Sequence, residues 1–423
     1  MLITTWAIET NTVWVWTSGG TPTPLSIGSD AIRSGAFDLS ADGEWITFRL
    51  DVPLAGLEGE GLEAAAVYVR RLESGPLTRI AGDATAPLFL PTGNRVLVET
   101  GDPHLVPGDQ NESVDLILRD LTTASVELVS AAVPREKPGI PDGQLGSDPT
   151  LISADGQRVF FTSYSADLSP GDTNQSSDIF MRDLSSGTLE LISVAADGSR
   201  PGNRASFHPV ITPDGNSVAF LSLATNLTAG EFQDRLEVFH RDRTTRTTRH
   251  VSEGPELPAQ RAAMNPGISR DGKRVLFEVF EKNQAFVWQA GAEGASELIP
   301  IHGARDGGNF DRVVQTRLSA NGTRVALLNP NSQRAAILDL GQNRYIPLGY
   351  PESATPYRSF GIAINSSGTQ CISEVQLAAG TPIQAVWHSD EGTSHFLEVH
   401  HPSDTGWNLQ EIREVAFSPD DQG

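Results

Sequence analysis

The chain lacks most of the residue patterns that specialised chemistry draws on. It has a single cysteine, Cys371, among 423 residues, so no internal disulfide can form and cysteine usage does not report on redox compartment. Cys371 sits in a β-rich run, Thr369-Gln-Cys-Ile-Ser-Glu, where a buried small hydrophobe is expected. No apolar run approaches the ~18 residues of a membrane helix, which speaks against a helical span. There is no Gly-x-Ser-x-Gly elbow for a serine hydrolase and no Gly-rich loop placed to cradle a phosphate. The first residues, Met1-Leu-Ile-Thr-Thr-Trp, carry no basic segment and no cleavage site, and do not read as a signal peptide. Basic residues are scarce, 31 Lys and Arg against 53 Asp and Glu. The net charge of −22 repels a nucleic-acid backbone and anionic lipid and suits solubility, cations or a basic partner.

What the chain has is turns, with 40 Gly and 27 Pro, and a repeat. Leu39-Ser-Ala-Asp-Gly43 recurs as Phe89-Leu-Pro-Thr-Gly93, Ile152-Ser-Ala-Asp-Gly156, Ile211-Thr-Pro-Asp-Gly215, Ile268-Ser-Arg-Asp-Gly272, Leu318-Ser-Ala-Asn-Gly322, Ile364-Asn-Ser-Ser-Gly368 and Phe417-Ser-Pro-Asp-Asp421. Successive copies are 46 to 63 residues apart. Asp-Gly and Asn-Gly tolerate the positive φ of tight β-turns. A β-rich run follows almost every copy, such as Arg158-Val-Phe-Phe or Arg274-Val-Leu-Phe, and a second run comes after it, such as Asp178-Ile-Phe-Met. Each unit therefore reads as strand a, tight turn, strand b, loop, strand c, turn, strand d. Four antiparallel strands per ~50 residues make a propeller blade, and a blade must stack on its neighbours to bury both faces.

The fold expected is all-β, one β-propeller domain over residues 1–423. Blades are expected at 30–82, 83–132, 145–196, 204–253, 262–300, 311–349 and 357–400. An eighth, closing blade would combine strand a from 409–423 with strands b, c and d from 1–28, leaving no exposed edge. The alternative is a seven-bladed core whose two ends belong to a longer chain.

The Ser-Pro-Asp-Gly-type turns followed by Arg-Val-x-Phe resemble TolB-like (WD40-like) β-propeller repeats. So do the segments His104-Leu-Val-Pro-Gly-Asp-Gln-Asn-Glu-Ser-Val-Asp-Leu-Ile-Leu-Arg-Asp120 and Asp167-Leu-Ser-Pro-Gly-Asp-Thr-Asn-Gln-Ser-Ser-Asp-Ile-Phe-Met-Arg-Asp183. The resemblance covers nearly all of the chain. It implies a bacterial cell-envelope or secreted protein, periplasmic or extracellular.

Two sets of residues are candidates for a site. In three successive blades the b–c loop carries oxygen-rich side chains: Asp109, Asn111 and Asp115; Asp172, Asn174 and Asp178; Glu231, Gln233 and Glu237. Alternating oxygens could hold Ca²⁺, with Asp172, Asn174 and Asp178 as the candidate ligands, but the Gly and bidentate Glu of a full calcium loop are missing. The competing reading is turn formation, with the last acid fixing the start of strand c. No cofactor beyond that Ca²⁺ candidate is expected. The second set lies seven residues before the final turn position, near the start of strand a: His208, Asn265, Gln315 and Glu414. These would form a partly polar channel mouth. Arg119-Asp120, Arg182-Asp183 and Arg241-Asp242 recur at the end of strand c and read as structural surface pairs.

The function expected is a non-catalytic, monomeric scaffold that binds a protein or small ligand on the b–c loop face. Two alternatives stand beside it. One is a polysaccharide-lyase-like enzyme using the central pocket; nine scattered His residues, with only His208 near the axis, fit poorly with a converging metal site. The other is the sensor propeller of a longer receptor.

Overall fold

A computed structural model describes residues 3–7, 12–16, 23–25, 37–50, 65–72, 76–85, 87–102, 104–105, 114–130, 150–166, 168–169, 171–229, 235–254, 257, 262–279, 284–291, 296–301, 315–329, 334–349, 358–376, 383–391 and 393–396. Asp109, Asn111, Glu231, Gln233 and Glu414 lie outside them, as does the strand expected after residue 409.

The described residues are all strand and turn. β1 (Ile3–Ala7), β2 (Thr12–Trp16) and β3 (Thr23–Leu25) form a three-stranded sheet. Seven four-stranded antiparallel sheets follow, each in sequence order. The first contains β4 (Phe37–Leu39), β5 (Trp45–Leu50), β6 (Ala66–Arg71) and β7 (Thr78–Ala81). The second contains β8 (Leu88–Phe89), β9 (Arg95–Thr100), β10 (Asp115–Asp120) and β11 (Val126–Leu128). The third contains β12 (Leu151–Ile152), β13 (Arg158–Ser163), β14 (Asp178–Asp183) and β15 (Leu189–Leu191). The fourth contains β16 (Ser206–Ile211), β17 (Ser217–Ser222), β18 (Glu237–Asp242) and β19 (Thr247–His250). The fifth contains β20 (Ala263–Ile268), β21 (Arg274–Val279), β22 (Gln284–Ala290) and β23 (Ser296–Ile301). The sixth contains β24 (Gln315–Leu318), β25 (Arg324–Asn329), β26 (Arg334–Asp339) and β27 (Arg344–Leu348). The seventh contains β28 (Arg358–Ile364), β29 (Gln370–Gln376), β30 (Ile383–Ser389) and β31 (Ser394–Phe396). These are the blades of a β-propeller, each in the a-b-c-d order read from the repeat.

The chain divides into two compact units, one of Ser26–Asp234 with Arg241–Arg249 and one of Met1–Leu25, Arg235–His240 and His250–Gly423. In the first unit, the period-2 alternation of β9 sends Val96 and Val98 into a cluster with Val67, Val69 and Ile80 of the preceding blade. Leu97 points the other way, to Val159, Phe161 and Phe180 of the following blade. In the second unit β25 does the same. Val325 and Leu327 pack on Leu276 and Val287, while Ala326 and Leu328 join Ile362 and Cys371. Cys371 is fully buried, as expected of a core hydrophobe. Each such aliphatic side chain removed from water contributes about 2 kcal/mol, and it does so only because two neighbours cover both faces of the sheet.

The repeated turn is built by its own side chains. Ser40 Oγ donates to Asp42 Oδ1 (2.5 Å) and accepts from Trp45 N (2.9 Å), while Asp42 Oδ1 accepts from Glu44 N (2.9 Å). The same trio recurs at Ser153/Asp155, Thr212/Asp214, Ser269/Asp271 and Ser319/Asn321. The glycine that ends each turn has positive φ, from +64° at Gly215 to +79° at Gly93. At Gly322 there is a second reason for glycine, because a Cβ would lie 2.9 Å from Ser269 Cβ of the preceding blade.

Successive turns are also tied backbone to backbone. Ala154 N donates to Pro213 O (2.7 Å), Arg270 N to Ala320 O (2.6 Å) and Asn321 N to Ser366 O (2.9 Å). The arginine that opens strand b reaches the same place: Arg158 Nη1 donates to Asp214 O (2.7 Å), Arg274 Nη1 to Gly322 O (2.5 Å) and Arg324 Nη1 to Gly368 O (3.3 Å). This is the physical content of Arg-Val-x-Phe after the turn.

Two of the three Arg-Asp pairs at the end of strand c have a structural role but do not lie on the surface as expected. Arg182 and Arg241 are buried, 8% and 9% exposed, and neither is a surface ion pair with its neighbouring Asp. Arg182 donates to Val129 O of the preceding blade (Nε, 2.8 Å) and to Gly187 O (Nη1, 2.8 Å). The adjacent Asp183 Oδ1 accepts Ser185 N and Ser186 N and so shapes the c–d turn. Asp120 and Asp242 hold their turns in the same way.

Candidate functional site

Strand c begins with Asp115, Asp178 or Glu237 in the three acidic blades, and all three carboxylates are buried. Each receives a serine hydroxyl from fifteen residues later, at the end of strand d. Ser130 Oγ donates to Asp115 Oδ1 (2.9 Å), Ser193 Oγ to Asp178 Oδ1 (2.7 Å) and Ser252 Oγ to Glu237 Oε2. The same hydroxyls accept the next amide of strand c, from Leu116 (3.1 Å), Ile179 (3.1 Å) and Val238 (2.9 Å). The three acids therefore clasp strand d to strand c. Ser130, Ser193 and Ser252 escaped the sequence reading, although a serine fifteen residues after each acid was there to be seen.

The loop before Asp178 is organised from within. Asn174 Nδ2 donates to Asp178 Oδ2 (2.8 Å) and to Gly202 O (2.7 Å), and its Oδ1 accepts Ser176 N (2.7 Å). Asp172 Oδ1 accepts Asn174 N (3.2 Å). The Asn174 nitrogen, not its oxygen, thus faces the carboxylate that would share a Ca²⁺ with it. Among the described residues no three His, Cys, Asp or Glu side chains gather as a metal site would require. Burial pushes the Asp178 carboxyl up to about 7, the Ser193 and Asn174 bonds oppose this, and the Asp172 charge adds to it.

Glu237 takes the opposite direction. Burial pushes its carboxyl up, but bonds from His250, Ser252 and Arg235 outweigh burial and hold it below the usual glutamate range. His250 Nε2 lies 3.3 Å from both Glu237 Oε2 and Ser252 Oγ. Serine, histidine and glutamate meet here, yet Ser252 is fully buried and already donates to the carboxylate, so it is no hydrolase nucleophile.

The strand-a candidates show a different feature. His208, in the first unit, has φ +51°, and Asn265, in the second, also has φ +51°. Both are exposed. Both sit at register slips, between Phe207 and Val210 in β16 and between Met264 and Gly267 in β20. Asn265 Nδ2 donates to Glu278 Oε2 (2.7 Å), and Glu278 Oε1 accepts Thr316 N (2.8 Å) and Thr316 Oγ1 (2.7 Å). Glu278 is buried, which raises its carboxyl against these bonds. Thr316, the residue after the candidate Gln315, faces this carboxylate; Gln315 is half-buried. In the first unit Glu99, at the same place in strand b, accepts Thr85 Oγ1 (2.9 Å) and Thr150 Oγ1 (3.3 Å).

No family model matches the sequence, and no curated protein matches it. Solved structures do. Dipeptidyl peptidase 4 of Porphyromonas gingivalis is similar over 93% of this chain and 59% of its own, at 12% identity and a TM-score of 0.53. The chain thus spans about three fifths of that peptidase. The β-propeller domain of the trilobed protease of Pyrococcus furiosus is 13% identical over 88% and 96% of the two chains, TM-score 0.42. TolB of Acinetobacter baumannii is 15% identical over 83% and 79%, TM-score 0.32. At these identities the likeness shows the β-propeller fold alone. The matches mix peptidases with TolB, and settle neither catalysis nor its absence. Among the described residues no helix is long and apolar enough to cross a membrane.

Proposed function

We propose that the chain is a non-catalytic propeller scaffold that binds a protein or small ligand at the blade ends carrying the b–c loops, in the bacterial periplasm or outside the cell. One observation carries this reading. His208 and Asn265 are exposed polar residues at the same repeat position on left-handed backbone; at His208, which is neither glycine nor asparagine, that backbone costs ~1–2 kcal/mol. Strain of this kind accumulates where a side chain is needed for contact. The neighbouring acids, like the Asn265 amide on Glu278, are engaged in holding the structure together.

The test is to screen the chain against arrays of bacterial envelope proteins and glycans, then measure each hit with His208→Gly and Asn265→Gly. Glycine relieves the backbone cost at His208, so His208→Gly keeps the wild-type melting temperature or exceeds it, while Asn265→Gly melts lower because Glu278 loses a donor. A binding loss of about tenfold in either, the size of one good polar contact, supports the reading. Wild-type affinity in both would overturn the surface assignment. Turnover of a bound glycan or peptide would overturn the non-catalytic half.

A further inference from the structure

The hairpin of β18 and β19 carries an unusual charge. The chain has only 31 Lys and Arg in 423 residues, yet Arg241, Arg243, Arg246 and Arg249 fall within nine positions. Two of the four belong to the frame. Arg241 is buried and donates to Arg246 O (2.9 Å) and Thr248 Oγ1 (3.1 Å). Arg243 pairs with Glu190 (2.7 Å) and donates to Gly215 O (2.7 Å). The other two point to a different use. Arg246 is exposed and Arg249 half-exposed, and among the described residues neither is in an ion pair.

Arg246 stands at the tip of the turn on left-handed backbone. It is the fourth residue after the turn-shaping Asp242, with φ +56°. The same position holds Ala124 (φ +59°) in the second blade, Gly187 (φ +68°) in the third and Asn343 (φ +50°) in the sixth, so the turn sets this backbone whatever residue it carries, and in the fourth blade it carries an exposed arginine. β19 is the terminal strand of its sheet, and among the described residues no strand pairs with its outer side. Charge on an edge strand can act as a guard against self-pairing, but Arg246 lies on the turn that precedes β19 rather than in the strand.

We infer that this hairpin docks an acidic, extended peptide, which pairs with the outer edge of β19 while its carboxylates meet Arg246 and Arg249. Strand addition supplies the backbone bonds, and guanidinium forks supply the carboxylate recognition. A polyphosphate chain lacks the backbone donors and acceptors, and duplex DNA would be repelled by a chain of net charge −22. Strand c runs from the b–c loop to the c–d turn, so the hairpin tip lies at the opposite end of its blade from those loops. The inference is independent of the function proposed above.

The test is fluorescence anisotropy of a labelled oligo-L-glutamate on the full chain at low salt. Binding is expected to weaken as salt rises. It is expected to fall about tenfold in Arg246→Gly/Arg249→Gln. Arg246→Gly alone should melt at or above the wild-type temperature, which separates lost contact from lost fold. Equal binding by the double variant, equal binding of oligo-D-glutamate, or tighter binding of polyphosphate than of the peptide would each overturn the inference.

Discussion

Replacing Asp178 by asparagine should flatten the pH dependence of stability. Asp178 is fully buried, and its carboxyl is raised from 3.8 to about 7. A group raised on folding gives stability that is complete below its unfolded value and is lost as pH climbs through its folded value. Between pH 5 and pH 7 the unfolded chain has released this proton and the folded chain keeps it. The native state therefore loses on the order of 3 kcal/mol over that interval from Asp178 alone, at 1.36 kcal/mol per pH unit. The substituted amide cannot ionise. Its oxygen can still accept Ser193 Oγ, but its nitrogen would face Asn174 Nδ2, which now donates to Oδ2 at 2.8 Å. That mismatch costs about 1 kcal/mol at every pH. Asp178→Asn should thus be slightly less stable than wild type at about pH 4, where wild type has lost little of this stability, and more stable at about pH 8. Urea unfolding of both proteins at the two pH values gives the answer, because other carboxylates cancel in the difference. Equal pH slopes, agreeing within about 1 kcal/mol, would refute the assignment of a buried, titrating carboxyl to this clasp.

Glu237→Gln removes a buried charge from His250, Arg235 and Ser252 and should cost about 3 kcal/mol at neutral pH; since this carboxyl is held low, the loss should shrink as the medium is acidified, read from the same urea curves. Gly322→Ala meets both positive φ and Ser269 Cβ at 2.9 Å, whereas Gly187→Ala meets only positive φ with open space. The first should lower stability by about 2 kcal/mol or more and the second by about 1 kcal/mol. Arg324→Ala loses bonds to Asp390 (2.6 Å) and Gly368 O and should cost about 2 kcal/mol, while Arg71→Ala, from an exposed pair with Glu44 at 3.4 Å, should cost well under 1 kcal/mol. Thermal melting should be the same in millimolar Ca²⁺ and in chelator, because Asn174 turns its nitrogen to Asp178; a stabilising shift with Ca²⁺ would return the loop to the metal reading.

The turn signature made the fold legible, because Asp-Gly and Asn-Gly carry their backbone requirement in their chemistry. Gly43, Gly156 and Gly322 all adopt positive φ where the repeat placed them. The strand-c acids were half legible. That Asp178 could fix the start of its strand follows from turn chemistry, but its partner Ser193 comes from another strand, and a pattern within one loop cannot show it. The placement of Arg182 was misread for the same reason. Its partner Val129 O is a carbonyl 53 residues away, and a carbonyl leaves no mark in an amino-acid sequence. His208 and Asn265 were picked out as candidates by alignment of the repeat, but the left-handed backbone at His208 was not foreseeable, since it is neither glycine nor asparagine.

The backbone bonds between successive turns, such as Ala154 N to Pro213 O and Asn321 N to Ser366 O, bear on how such a chain can diverge. A bond between peptide groups is indifferent to side-chain identity, so a blade can change its loops and still dock, provided its turn keeps its shape. Blade spacing varies from 46 to 59 residues across the three junctions that carry such a bond. Heredity is constrained at the short turn of each blade and comparatively free elsewhere, which is the situation in which many unrelated-looking sequences converge on one architecture.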